Sequence, residues 1–201
     1  MVDGAKAVVA AGFTALKFTP QPDDYQRKGW TQILNDSIER VRSVREAVGA
    51  DIDICLDYHG RSFSPAEAVQ LAQAIEPYRP YFLEEPALTE SPESLVEVKM
   101  KTNIPIAGGE RCISRDRLKE ILEKRAVHVL QPEPTCNGGI LETIRWAAMA
   151  ELYHITLAPH QACGPVSFMA CAHIDACAPN FLIQECNVDF DSPFIKDLFP
   201  E

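Results

Sequence analysis

Short apolar runs alternate with longer amphipathic stretches along the whole chain. The runs FTALKFT, DIDICLDY, YFLEE, IPIAG, AVHVLQP, HITLAP and NFLIQE are brief and rich in β-branched or aromatic residues, as buried strands are. Between them, NDSIERVRSVREAVGA, SRDRLKEILEKRA and GGILETIRWAAMAELYH carry apolar residues at helical spacing. SPAEAVQLAQAIEPY opens with Ser64 as N-cap, Pro65 at the first helical position and Glu67 three residues after the cap, the pattern of a capping box. SPESLVEVKMKT repeats the Ser-Pro opening at Ser91 and Pro92, and the chain itself begins in a helix-like stretch, AKAVVAAG.

Strict β–α alternation predicts a parallel sheet. We count seven strands, where a closed (β/α) barrel has eight. The predicted fold class is therefore α/β, a partial TIM-type (β/α) barrel of about seven strands that lacks the first strand. Residues 1–201 contain no linker or low-complexity segment and read as one incomplete barrel domain. An open doubly wound sheet explains the alternation equally well, but not the placement of charge.

That placement is regular. Asp57, Glu84, Glu110, Glu133, His160 and Glu185 each close one of the apolar runs, at intervals of 27, 26, 23, 27 and 25 residues. A strand, a helix and two short loops take about that many residues. Charge at the end of strand after strand is costly unless those ends meet at a site, as they do at the C-terminal face of a parallel barrel.

Composition narrows the reading further. The chain has 201 residues, 46% of them hydrophobic, with 29 acidic against 19 basic residues and a net charge of −10. No basic cluster stands out, which argues against nucleic acid as a partner. An acidic protein that binds anionic substrates usually needs a cation between them. The N-terminal MVDGAKAVVAAGF lacks the basic and long apolar regions of a signal peptide. No apolar run approaches 18 residues, so no membrane span is expected. Seven cysteines without a CxxC pair read as buried, reduced thiols of a cytoplasmic protein.

Asp57, Glu84 and Glu110 end three consecutive strands. Neighbouring carboxylates resist joint ionisation unless a cation lies among them, and an all-oxygen donor set suits Mg²⁺. Glu84 is taken as the ligand rather than Glu85, which continued strand geometry would point the other way. Glu133 ends the strand before the one that closes on His160. A carboxylate beside an imidazole fixes its tautomer and makes it a general base. His59, two residues beyond Asp57, would share its face in a continuing strand and could act as a second acid/base group. Glu185 would hydrogen-bond a developing oxyanion or the substrate. His128, His154 and His173 receive no role.

Taken together, DYHGR, FLEEP, GGER, QPE followed by NGGI, LAPH and FLIQE resemble, in order and spacing, the barrel of the enolase superfamily. They look most like its mandelate racemase subgroup, and within it the acid-sugar dehydratases of galactonate-dehydratase type. The resemblance runs from about Gly12 to about Asn187. It implies that Asp57, Glu84 and Glu110 bind Mg²⁺. It further implies that His59 is the acid that expels the leaving hydroxyl and that His160 belongs to a dyad with residue 133. Glu185 would contact the enolate side, and Lys17 and Arg61 the substrate.

Three departures matter. The dyad partner is usually Asp, and here it is the longer Glu133. The KxK motif of the racemases is replaced by Lys17-Phe18-Thr19, which removes the second lysine base and favours dehydration. The N-terminal capping domain and the first strand have no counterpart here, so the chain reads as part of a longer protein. The expected function is Mg²⁺-dependent dehydration of a sugar acid to a 2-keto-3-deoxy acid. The alternatives are racemisation or epimerisation of a hydroxy acid on the same scaffold, or a truncated fragment without catalysis. The expected partner is a small sugar acid, with self-association of the exposed barrel faces left open.

Overall fold

The structure is a computed structural model, and it describes residues 1–62, 64–189 and 192–198. Its contacts divide the chain into two compact units, Met1–Ala107 and Gly108–Glu201.

The first unit contains α1 (Val2–Ala10), β1 (Ala15–Phe18), α2 (Trp30–Val48), β2 (Asp53–Asp57), α3 (Pro65–Ile75), β3 (Phe82–Glu84), α4 (Pro92–Lys99) and the start of β4 (Ile106–Gly108). All pairings are parallel. Lys17 lies opposite Cys55, Asp57 opposite Glu84, and Glu84 opposite Ala107. In β2, Ile54, Cys55, Leu56 and Asp57 are all buried, as expected of a parallel strand covered on both faces. Val41 and Val44 of α2 and Ala68, Leu71, Ala72 and Ile75 of α3 supply helix faces to this core.

The second unit contains α5 (Arg115–Glu123), β5 (Val129–Leu130), α6 (Pro134–Asn137), α7 (Ile140–Glu151), β6 (Thr156–Leu157), α8 (Pro165–Asp175) and α9 (Pro193–Leu198). Leu130 pairs with Leu157. The core takes Leu118, Ile121 and Leu122 from α5 and Trp146, Ala147 and Ala150 from α7. Trp146 is wholly buried, and its indole N–H donates to Glu142 Oε1 at 3.0 Å.

The strands follow one another in sequence order from β1 to β6, and the sheet is open. A doubly wound sheet reverses strand order at a switch point, and no reversal occurs, which removes that alternative. The seventh expected strand, NFLIQE, is reduced to one parallel bridge between Leu157 and Phe181. Two backbone bonds hold it, Leu157 N to Asn180 O and Leu182 N to Leu157 O. Beyond Leu182 the run is held largely by side-chain bonds, Gln184 Nε2 reaching Pro159 O at 3.0 Å.

Three serines open helices, with different outcomes. Ser64 Oγ accepts from Ala66 N, and Ser114 Oγ accepts from Arg117 N. Ser91 makes no such cap; its hydroxyl donates to Glu93 Oε2 at 3.1 Å. The expected capping box at α3 is thus a one-sided cap made by Ser64 alone. The cysteines also differ from expectation. All seven are free thiols, but only Cys55, Cys112 and Cys171 are buried. Cys136, Cys163 and Cys186 fall in loops or a single short turn past strand ends, where the apolar runs have already stopped.

Candidate active site

In the first unit the register of β2 and β3 sets two buried carboxylates, Asp57 and Glu84, side by side at their strand ends. Lys17, on the neighbouring strand, extends its ammonium to Glu84 Oε2 at 2.8 Å and to Asp57 Oδ2 at 3.5 Å. A cation therefore sits against both acids, and Lys17 is held on the carboxylates.

His59 reaches the same cluster by a route other than the expected one. β2 ends at Asp57, and His59 has a φ of 53°, so the rule that alternate strand residues share a face does not apply. The turn is fixed by Tyr58 N donating to Glu84 O, Gly60 N to Glu85 O, and His59 N to Asp57 Oδ1. It swings the ring back, leaving His59 Nε2 at 3.2 Å from Asp57 Oδ2 and Nδ1 at 3.5 Å from Thr19 Oγ1. The side chain stays 41% exposed, which leaves it open to a substrate. Glu85 likewise departs from strand geometry, buried with a φ of 39°. Arg61 stacks its guanidinium over the Tyr25 ring, 5.1 Å from the centroid, as cations do on aromatic faces.

In the second unit His160 is flanked by two carboxylates. Its Nδ1 lies 2.9 Å from Glu133 Oε2 and its Nε2 3.1 Å from Glu110 Oε2. A carboxylate accepts only, so Nδ1 donates to Glu133, while Nε2 faces the Glu110 carboxylate in the same way. Glu133 is itself anchored. Its Oε1 accepts from Thr135 N at 3.0 Å, from Thr135 Oγ1 at 2.8 Å and from Ser167 Oγ at 3.4 Å. Burial opposes ionisation of Glu133. The donors on Thr135 and His160 outweigh it and hold the carboxyl below its ordinary range. Glu133 is at the same time the N-cap of α6.

Glu110 follows a Gly-Gly pair at the end of β4. At Gly109 φ is 133°, and an added Cβ would stand 3.0 Å from Leu130 Cδ1 and 3.1 Å from Gln131 N. Only glycine permits that close approach of two backbones. Glu185 reaches the loop that follows His160, where its Oε2 accepts from Gln161 N at 3.0 Å. Gln161 is buried and ties the loop together, donating from Nε2 to Gly164 O and accepting from Asn187 N.

Asp57 and Glu84 in the first unit and Glu110 in the second are carboxylates of the kind that can hold a metal ion. Sequence reasoning did not single out Thr135, Ser167, Gln161 or Gly109. Of these, Thr135 was the most accessible, because Glu133-Pro134 repeats the cap-then-proline pattern of Ser64-Pro65.

The sequence profile described as enolase C-terminal domain-like matches residues 1–201. D-galactonate dehydratases of Ralstonia nicotianae and Ralstonia pickettii are 39% and 38% identical to the chain over 185 residues. Those alignments take in 92% of this chain and 48% of each relative, so the chain spans about half their length. Among solved structures, an enolase from Agrobacterium radiobacter bound to Na and L-malate superposes with a TM-score of 0.86 at 34% identity, covering 92% of this chain and 47% of that one. A mandelate racemase/muconate lactonizing enzyme-like protein from Roseovarius sp. TM1035 gives 0.87 at 36% identity, covering 98% and 50%. The open parallel sheet is thus part of a (β/α) barrel of this kind. Among the described residues no helix is long and apolar enough to cross a membrane.

Proposed function

The chain belongs to the enolase C-terminal domain-like family, and from that premise we propose that it is the barrel portion of a Mg²⁺-dependent sugar-acid dehydratase. The observation that carries the reading is the Glu133–His160 pair. A base needs an imidazole held in one orientation, and Glu133 Oε2 at 2.9 Å from Nδ1 supplies that; Nε2, 3.1 Å from Glu110 Oε2, would be released to the substrate when Glu110 turns to the metal. The likeness to two D-galactonate dehydratases supports a sugar acid as the substrate class.

The triad fits the metal. Asp57, Glu84 and Glu110 offer an all-oxygen, anionic donor set, and Mg²⁺ is a hard ion that takes oxygen ligands. Bound there, the cation would stabilise negative charge developing on the substrate carboxylate. His160 Nε2 takes the proton α to that carboxylate, and Glu133 stabilises the imidazolium formed. His59 gives a proton to the β-hydroxyl as the C–O bond breaks, releasing water. The enol left behind tautomerises to a 2-keto-3-deoxy acid. Lys17 and Arg61 contribute positive charge for the substrate carboxylate, and Glu185, through Gln161, fixes the loop that presents His160. Thr19 occupies the position of a second lysine base, which disfavours racemisation.

The test is dehydration of a sugar-acid library with Mg²⁺, detecting the 2-keto product, with His160→Ala as the control. Turnover that His160→Ala lowers by on the order of 10²-fold or more supports the reading. Turnover that survives the substitution refutes His160 as the base. Mg²⁺ binding without turnover on any sugar acid refutes catalysis by this chain alone.

A further inference from the structure

Two thiols of the second unit meet the hydroxyl that supports the Glu133–His160 pair. Cys136 lies in α6 and Cys163 in the loop between β6 and α8, and both are exposed. Both sulfurs contact one atom. Thr135 Oγ1 lies 3.7 Å from Cys136 Sγ and 3.5 Å from Cys163 Sγ. The two sulfurs are therefore at most about 7 Å apart, the sum of those contacts. The same hydroxyl donates to Glu133 Oε1.

We propose that Cys136 and Cys163 form a modification site, a thiol pair that low-molecular-weight disulfides convert to an intramolecular disulfide. The thiolate of one cysteine attacks a small disulfide R–S–S–R, forming a mixed disulfide and releasing one R–S⁻. The second cysteine thiolate attacks the protein sulfur of that mixed disulfide. The Cys136–Cys163 bond forms and a second R–S⁻ leaves. The protein is oxidised by two electrons and loses two hydrogens, and the small disulfide is reduced to two thiols that take up the two protons.

Geometry and access both favour this pair. An S–S bond is about 2.05 Å long, so the sulfurs must approach by at most about 5 Å. The backbone has glycines at the edges of both segments, Gly138 with φ 112° and Gly164 with φ 85°. The buried thiols are poor competitors because the thiolate is the nucleophile. Burial pushes the Cys171 thiol up to about 12. Closing the bond draws both sulfurs away from their present contacts with Thr135 Oγ1, the hydroxyl that donates to Glu133 Oε1, and so changes the support of Glu133. That consequence rests on the dehydratase reading; the thiol chemistry does not.

The experiment treats the chain with oxidised glutathione, blocks remaining thiols and maps peptides by mass spectrometry. The expected product is a Cys136–Cys163 cross-link with a loss of about 2 Da, on the order of tenfold more abundant than any other cysteine pair and reversed by dithiothreitol. Cys163→Ser and Cys136→Ser should each abolish the cross-link and leave a stable glutathione adduct on the remaining cysteine. Stable adducts on both cysteines of the unsubstituted chain, a cross-link to a different cysteine, or no reaction at either would overturn the proposal. The mass readout needs no turnover, so failure of the dehydratase reading leaves it intact.

Discussion

Asp175 is the last residue of α8, and its Oδ1 is buried without a hydrogen-bond partner. Burial raises its carboxyl to about 7, from an ordinary value of 3.8. A carboxyl that is harder to ionise in the folded state than in the unfolded one destabilises the fold wherever the unfolded state is charged. Below pH 3.8 both states hold the proton and the term vanishes. Between pH 3.8 and about 7 only the unfolded state releases it, so stability falls as pH rises; above about 7 the full cost is present. A shift of about three pH units corresponds to about 4 kcal/mol for a sealed group. Asp175 is only partly buried, and solvent screening reduces this to about 2 kcal/mol. Its position in the last helical turn acts in the same direction, since a negative charge opposes the helix dipole there.

Asp175→Asn removes the titration while keeping the shape. The amide brings its own cost, but that cost does not change with pH. The measurement is therefore a difference of differences: urea unfolding of both proteins at pH 4 and at pH 8. Between those values the parent should lose about 2 kcal/mol more stability than Asp175→Asn. Equal losses in the two proteins would mean that Asp175 ionises freely in the fold and that its surroundings are wetter than described.

The serine caps make a paired prediction. Ser114→Ala should cost about 1 kcal/mol in urea unfolding, because Ser114 Oγ accepts from Arg117 N. Ser91→Ala should cost a few tenths at most, because Ser91 caps nothing; equal costs would refute the assignment. Gly109→Ala should destabilise by about 1–3 kcal/mol, since its Cβ would press on the Gln131 backbone. It should also weaken Mg²⁺ binding measured by calorimetry, as Glu110 follows directly. Unchanged binding would detach Glu110 from the metal.

Much of this was legible in the sequence because strand ends are marked twice, once by the end of an apolar run and once by a charge. Asp57 and Glu84 come out opposite each other since parallel strands of similar length, joined by similar helices, keep a common register. His59 was harder. Asp57-Tyr58-His59 has the alternation of a strand, and the wholly buried Tyr58 fits one. Only Gly60 signals the turn, and a left-handed residue before a glycine leaves no trace in hydrophobic pattern. The exposed cysteines were misjudged for a related reason. Cys163 in APHQACGP and Cys186 in QECNV stand next to apolar runs but past the strand ends, and composition cannot tell a run from its edge.

The substitution of Glu for the expected Asp at position 133 is where local and functional requirements meet. A residue that both caps a helix and orients an imidazole needs two acceptor atoms with different addresses. Glu133 divides them cleanly. Oε1 faces back to α6, where the Thr135 N–H and hydroxyl hold it, and Oε2 faces forward to His160 Nδ1. With Oε1 fixed, the carboxylate plane and the position of Oε2 follow, and the flexibility added by one more methylene is removed by the cap. The cost of burying the charge is offset by the same bonds, because donors to a carboxylate favour its ionised form. Proline at 134 forgoes the N–H that a cap would leave unused in any case, so the Glu-Pro-Thr sequence serves the fold of α6 and the orientation of His160 at once. A longer carboxylate here is therefore a rearrangement of the dyad's support, carried by Thr135, and it leaves the His160 contact at ordinary hydrogen-bond length.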